Sequence, residues 1–334
     1  MITMNDIARE AGVSRYTVSK ILNGDSTVKP ASRDRVMAIC ARHGYVPNHY
    51  AVGLVRGSTN TIAMIVPYIT DDFYNEMIEL TEREATKHGY RLIYQSSYND
   101  AEVEANVIKN FLALQVCAMI VTPTVNQPDL HLHRLMAAQI PVIYFDRPLP
   151  ATEYLVANDH YLSSRTMTEY LLAHQSIPFY LDSFYGNANS AAADRRRGYE
   201  AVMREHGLIP EFIPNHASRE QQDNERFGYE NLQAYLASGS EIPAAVFCVT
   251  DAVALGAMLA LREAGLVPGR DIRIAGHDHL RFGAYLEPTL TTMRQPKELF
   301  SRTCIELADQ LIRRQQPAQR QYIFPSELVV RKSA

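Results

Sequence analysis

Residues 3–23 constrain this chain more than any other stretch: Thr3-Met4-Asn5-Asp6-Ile7-Ala8-Arg9-Glu10-Ala11-Gly12-Val13-Ser14-Arg15-Tyr16-Thr17-Val18-Ser19-Lys20-Ile21-Leu22-Asn23. Thr3 and Asp6 have the spacing of a capping box, which starts a helix by satisfying free N–H groups reciprocally. Ile7, Ala8 and Ala11 then share one face, and Gly12 supplies the permissive backbone that ends the helix. Ser14 is placed to cap a second helix with Val18, Ile21 and Leu22 as its buried stripe. Two short helices about a glycine turn predict a helix-turn-helix, whose second helix lies in the major groove of duplex DNA.

A helical hairpin that merely packs is the alternative, and two features argue against it. The outward positions of the second helix are Arg15, Tyr16, Thr17, Ser19 and Lys20, all able to hydrogen-bond bases or phosphates. Charge is also lopsided. Residues 1–60 carry a net +4, which leaves −8 on the remainder of a chain whose total is −4. A basic head on an acidic body is the electrostatic footprint of a DNA-binding domain joined to a separate domain.

A chain of 334 residues, 46% of them hydrophobic, is long enough for several cores. No run of eighteen apolar residues is present, so no membrane partner is expected. Asn5, Asp6, Arg9 and Glu10 interrupt the N-terminus and rule against a signal peptide, so a cytoplasmic protein is expected. Cys40, Cys117, Cys248 and Cys304 form no C-x-x-C pair and read as reduced, buried thiols.

A third helix is predicted from Pro30 to Gly44, burying Val36, Ile39 and Cys40. The segment after Asn48 that ends at Gly57 is too short, with Gly53 inside it, to be a stable helix alone. DNA could order it. From Thr61 the pattern alternates. Strands are expected at 61–67, 90–95, 116–122 and 141–145, with helices at 72–88, after 95 to 115, and 130–138. After Asn158 the cycle restarts: helix 161–173, strand 177–181, helices 193–206 and 225–237, strand 244–250, helix 252–264 and strand 272–275. Buried strands separated by helices predict an α/β body of two doubly wound parallel sheets, with ligands beyond the strand C-termini.

The chain resembles the lactose-repressor-type (LacI/GalR) transcriptional regulators. The residues that carry the likeness are Asp6-Ile7-Ala8, Ala11-Gly12-Val13-Ser14, Thr17-Val18-Ser19, Leu22-Asn23, Gly44-Tyr45-Val46-Pro47-Asn48 and Ala51-x-x-Leu54. The resemblance implies three parts: a helix-turn-helix domain over 1–46, a hinge helix and linker over 47–60, and a two-lobed periplasmic-binding-protein-like body over 61–330. Its crossings are expected near 157–162, 288–292 and 320–322. Lobe 1 would then hold 61–158 and 291–320, and lobe 2 would hold 159–290 and 321–330. In the family the residue matching Leu54 wedges into the minor groove and kinks the duplex. The set expected to contact DNA is Thr3, Ser14, Arg15, Tyr16, Thr17, Ser19, Lys20, Asn23, Thr27, Asn48, His49 and Leu54.

Strand ends supply the ligand candidates. Asp146 and Arg147 follow the strand that closes at Phe145, and the family often has an Asp-Arg pair there. Thr122 ends the preceding strand and matches another family cleft position. Phe73 and Tyr74 begin a helix directly after a strand, and two successive rings point to different sides, so one of them is expected to face the cleft. Before them stands Asp71-Asp72 where relatives commonly have Asn-Pro, which biases the pocket against acidic effectors. Arg195 aligns with an effector-binding arginine in the family's Arg-x-x-Gly-Tyr pattern, and its planar fork suits hydroxyl pairs or a carboxylate. Thr250 replaces the family's usual polar amide, and Asp278 matches an aspartate that accepts from sugar hydroxyls. Asp251 reads as a helix N-cap or a ligand contact. His131-x-His133 and His277-x-His279 lack a third ligand, so no metal is expected.

No G-x-S-x-G, G-x-x-x-x-G-K-[ST] or G-x-G-x-x-G is present, and neither enzyme activity nor a cofactor is expected. The reading is a repressor that acts as a homodimer on a pseudo-palindromic double-stranded operator, controlled by a sugar or sugar derivative held between two lobes. A periplasmic-type solute-binding protein without gene regulation is the alternative. With no leucine heptads after Arg331, a C-terminal coiled-coil tetramer is not expected.

Overall fold

The computed structural model describes residues 2–22, 25, 27–45, 59–125, 128–150, 152–184, 186–215 and 223–334. Asn23, Asn48, His49, Leu54 and nearly all of the expected hinge segment lie outside the described residues. The chain divides into two compact units, Met1–Thr59 and Asn60–Ala334.

The first unit holds α1 (Met4–Ala11), α2 (Arg15–Leu22) and α3 (Pro30–Arg42). Thr3 and Asp6 form the capping box, and Gly12 sits at φ 66°, where a side chain would be strained. Its neighbour Val13 donates back to the Ala8 carbonyl, so the chain turns within three residues into α2. Ile7, Ala8, Ala11, Val18, Ile21, Val36, Ile39 and Cys40 fill the core between the three helices. The third helix ends at Arg42, two residues before the expected Gly44, because Gly44 takes a left-handed φ of 59°.

The second unit begins with β1 (Thr61–Val66), α4 (Asp72–Lys87), β2 (Arg91–Ser96), α5 (Ala101–Ala113), β3 (Ala118–Val121), α6 (Leu130–Gln139), β4 (Val142–Phe145) and β5 (Leu155–Asn158). It continues with α7 (His160–Ala173), β6 (Pro178–Leu181), α8 (Ser190–Glu205), α9 (Asn224–Ala237), β7 (Ala245–Cys248), α10 (Asp251–Glu263) and β8 (Arg273–Ala275). The last elements are β9 (Thr292–Arg294), α11 (Lys297–Ile312), β10 (Gln321–Phe324) and β11 (Glu327–Val329).

The first sheet runs β10-β5-β4-β3-β1-β2, with every pairing parallel. Strand alternation sorts β1 between two layers. Ile62, Met64 and Val66 pack with Met77 of α4 and Phe300 of α11, while Ala63 and Ile65 pack with Phe111 of α5 and Met136 of α6. The second sheet, β6-β7-β8, is also parallel and is covered by α7 to α10 around Tyr180, Tyr199 and Phe247. The α9 and α10 helices meet at Gly228 and Gly256. A Cβ on Gly256 would run into the Glu225 carbonyl, and one on Gly228 into the Val253 carbonyl.

Pairing corrects the expected lobe boundaries. Residues 321–324 do not join the second lobe: β10 pairs in register with β5, from Gln321 against Leu155 to Phe324 against Asn158. Nor does the first lobe resume at 291. Thr291 bridges to Ala275 beside β8, and β9 pairs antiparallel with β11. The chain therefore crosses at 159, at 295–296 and at 325–326. The body also runs past 330, since Ser333 is buried and its carbonyl accepts from the Ile274 N–H at 2.9 Å.

Candidate ligand cleft and candidate nucleic-acid interface

On the second helix of the first unit Arg15 and Tyr16 are exposed, Tyr16 by 71%. Lys20 Nζ lies 5.4 Å from the Tyr16 ring centre and 3.2 Å from the Asp25 carboxylate. Thr27 donates to Asp25 through both its hydroxyl and its N–H, and these bonds hold that carboxyl down at about 2. Thr3 and Ser14 use their hydroxyls as helix caps, with Ser14 Oγ accepting from the Thr17 N–H at 3.1 Å and lying 2.9 Å from the Thr17 hydroxyl. Ser19 is half-buried. Arg15 and Tyr16 therefore form the most open part of the expected reading surface.

In the second unit a cavity of about 400 Å³ opens beyond the C-terminal ends of both parallel sheets, where α/β proteins place ligands. The chain leaving β4 contributes Asp146 and Arg147, and the turn after β7 contributes Thr250. Asp278 comes from the loop after β8, and Arg195 from the second turn of α8. Phe73 and Tyr74 both line the cavity, not one of them as expected. Phe73 also stacks on Phe145 at 6.1 Å, so it belongs to cleft and core together.

Thr122 does not line the cavity. It directly follows β3, yet it is fully buried and its hydroxyl has no hydrogen-bond partner. The cap of α10 is Thr250, which accepts from the Val253 N–H at 3.2 Å, so Asp251 is not the N-cap. Asp251 instead lies fully buried, accepting from the Thr292 hydroxyl at 2.6 Å and the Leu280 N–H at 2.7 Å. Burial, with Asp278 nearby, pushes its carboxyl up to about 8.

A polar network runs through the cavity floor. Tyr74 donates to Asp146 at 3.0 Å, and His160 Nε2 lies 3.0 Å from the other oxygen of the same carboxylate. His160 Nδ1 accepts from Arg195 Nε at 3.2 Å, with Asn158 Nδ2 at 3.3 Å. That donor pattern leaves the imidazole proton on Nε2. Arg195 also donates to the Val249 carbonyl at 2.7 Å and to Asp278 at 3.2 Å. Gln295, at the second crossing, donates to the same Asp278 oxygen at 2.6 Å.

Burial opposes ionisation of Asp146, yet the His160 hydrogen bond and the charges of Arg147 and Arg195 outweigh it and hold the carboxyl low. Asp278 is held low against burial by Arg195 and His277. Asp146 and Asp278 occupy positive φ of 65° and 106°, strain concentrated at the site. Burial, then Arg195, pushes the His277 ring down to about 3.

Arg147 stands apart. It is 4% exposed, and its Nε and Nη2 have no hydrogen-bond partner, although Asp146 lies 3.9 Å away. A desolvated guanidinium with free donors is arranged for an oxygen-rich guest.

Several residues were not anticipated. His160 and Gln295 organise the floor, and Asn189, Asp223 and Glu225 stand on the walls. Asn189 and Asp223 were legible as N-caps of helices that start near the sheet ends. Among the described residues no group of three His, Cys, Asp or Glu could hold a metal ion. His133 faces Tyr144 and Glu104 at 3.1 and 3.0 Å in a buried trio. The four cysteines are buried free thiols. No helix among the described residues is long and apolar enough to cross a membrane.

Residues 3–48 match the model for bacterial regulatory proteins of the lacI family, and residues 172–334 match a periplasmic binding protein-like domain. Catabolite control protein A of Priestia megaterium is 30% identical over 299 residues, covering 88% of each chain. The HTH-type transcriptional regulator GalS of Salmonella typhimurium is 31% identical over 318 residues, covering 92% of this chain and 89% of that one. Among solved structures, the lac repressor dimer bound to operator and the anti-inducer ONPF superposes with a TM-score of 0.86 at 24% identity, covering 99% of this chain and 98% of that one.

Proposed function

The chain belongs to the LacI family of bacterial regulatory proteins, and from that premise we propose that its cleft holds the small polar effector that controls operator binding by its helix-turn-helix. It is a DNA-binding transcriptional regulator and not an enzyme. The regulation is repression, exerted by a homodimer on a pseudo-palindromic double-stranded site in the cytoplasm, since one helix-turn-helix reads too few base pairs for adequate specificity. The effector is a sugar or sugar derivative. Solute binding without gene regulation accounts for the body alone and leaves the lacI-type head over 3–48 without a use.

The observation that carries the effector reading is Arg147, buried in the cavity with two donor nitrogens unpartnered. Asp146, Arg195 and Asp278 supply further polar groups aimed at the same space, and Phe73 and Tyr74 supply ring faces. Effector control is a population shift whose size equals the effector's differential affinity for two arrangements of the body. On the DNA side, Arg15 and Tyr16 read bases, Lys20 meets phosphate, and Leu54 acts as the minor-groove wedge.

A thermal-shift panel of sugars and sugar derivatives tests the reading. A true effector at a hundredfold its dissociation constant adds about 2.7 kcal/mol of stability. The same compound should change retention of an operator selected from random duplexes, and Arg147→Ala should abolish both responses. An effector that stabilises Arg147→Ala as strongly as wild type would place its site elsewhere.

A further inference from the structure

The two guanidinium groups of the cavity face six carboxylates. Asp146 and Asp278 are accounted for, the first by His160 and the second by Arg195. The other four form a separate group. Asp71 and Asp72 come from the start of α4 over the first sheet, and Asp223 and Glu225 from the start of α9 beside the second. They lie close enough for Glu225 to act electrostatically on Asp71 and for Asp72 to act on Glu225, which also shares a hydrogen bond with Asp223. The nearby ion pairs join Arg147 to Asp146, Arg195 to Asp278 and Lys297 to Glu76. Among the described residues no basic side chain pairs with any of these four.

Helix capping explains one carboxylate on each side, through Asp71 to the Phe73 N–H at 2.9 Å and Asp223 to the Arg226 N–H at 3.0 Å. Beyond capping, Asp72 and Glu225 sit in the first turns of α4 and α9, where the helix dipole favours their charge but no basic side chain among the described residues meets it. The two other helices that start on this cavity, α8 and α10, are capped by the neutral side chains of Asn189 and Thr250. The excess negative charge is therefore confined to one pair of facing helix ends. Burial, then Asp278, pushes Asp71 up to about 7, as expected of a carboxyl without a counter-ion. In the same cavity the buried Arg147 keeps two donors free. The lining offers acidic acceptors in one group and an unused guanidinium fork in another.

We propose that the effector carries a positively charged nitrogen, an ammonium group on a sugar-like polyol, which sits among Asp71, Asp72, Asp223 and Glu225 while its oxygens meet Arg147. The inference rests on the cleft being the effector site. Without a guest, water screens the exposed Asp72, Asp223 and Glu225. A guest displaces that water, and a neutral sugar then leaves like charges facing one another in a drier space, whereas an ammonium neutralises them. A phosphorylated sugar meets the same carboxylates as a repulsive wall.

Titration calorimetry on the full chain with matched probes decides this: glucosamine, galactosamine and mannosamine, each against its parent hexose and its N-acetyl derivative. At least one amine should bind about tenfold or more tighter than both neutral partners, the scale of one charge-assisted contact. In the Asp72→Asn, Glu225→Gln double variant that advantage should shrink to about threefold or less, with the amine binding more weakly and the neutral partner at least as tightly as in the wild type. Circular dichroism and thermal melting check that the variant is folded. A neutral partner that binds as well as its amine overturns the cationic effector and leaves the cleft's role intact. An amine preference that survives unchanged in the double variant overturns the assignment of these carboxylates. No response of the wild type to any probe overturns the inference together with the sugar-derived effector on which it rests.

Discussion

Arg195 points its Nε–H at Nδ1 of His160 across 3.2 Å, and His160 in turn holds Asp146 at 3.0 Å. The guanidinium expected to meet the effector is thus aimed by a ring anchored to the far sheet. Arg195 lies on α8 beside the second sheet, whereas Asp146 follows β4 of the first. His160 stands on the first crossing between them.

This relationship fixes the tautomer. Nitrogen-detected NMR should show His160 unprotonated at Nδ1 and protonated at Nε2. His160→Phe keeps the ring volume and removes both bonds, so effector affinity should fall about tenfold. Operator affinity without effector should stay within a few-fold. An Nδ1-protonated signal would sink the proposed aiming of Arg195.

Arg195→Ala and Asp278→Ala remove partners from a buried, charge-assisted network. Loss of such a partner typically costs about 2–5 kcal/mol in binding. Both variants should bind operator normally and ignore effector. Calorimetry that finds undiminished effector binding in both would refute the pocket.

The reading helix separates specificity from general affinity. Arg15→Ala should cost about 1–3 kcal/mol and relax preference at one symmetric position of the operator. Lys20→Ala should weaken all sequences alike and lower the salt dependence, because its expected partner is phosphate. Site selection with Arg15→Ala that returns the original motif would show that another residue reads that base.

Acidity of the second unit should depend on Asp71 and Asp251. Both carboxyls are raised above the unfolded value of 3.8, to about 7 and about 8. The folded chain therefore retains protons that the unfolded chain has released, and this stability is lost as pH rises through those two values. His277 works the other way, but its contribution falls off only as pH drops below its unfolded value of 6.5. Melting temperature should consequently decline most steeply between about pH 6.5, above which His277 no longer opposes it, and about pH 8, where it levels off, and Asp251→Asn should flatten the upper part of that decline. An identical slope in the variant would mean that Asp251 ionises normally in the fold.

Much of this architecture was legible because it is written locally. Continuous apolar runs such as Ile62–Val66 mark buried parallel strands, and each cap and glycine stop marks a helix end. The strand-end rule found Asp146, Arg147, Thr250 and Asp278, which all line the cavity. It failed at Thr122, because the rule gives the height of a residue above the sheet and not the side to which it turns. The placement of Gln321–Phe324 was missed for a different reason. An edge strand of alternating exposure carries no local sign of which sheet it joins, and its pairing with Leu155–Asn158 spans more than 160 positions. His160 has no local signature either, since its role depends on Asp146 and Arg195 converging from separate elements. The facing acidic helix ends were visible singly as caps, and only the fold brings them together.

The contact between α9 and α10 has a mechanical meaning. Glu225 touches Gly256 through backbone alone, so no side-chain rotation can let the two helices slide apart. Glu225 and Thr250 therefore travel as one rigid block, although they belong to different helices. The outer face of that block carries Leu255 and Leu259 beside Leu286, an apolar strip of which Leu259 is half exposed. Any shift of the α9 backbone at Glu225 would carry this strip with it. Such a shift would be legible from outside the protein, at the exposed Leu259.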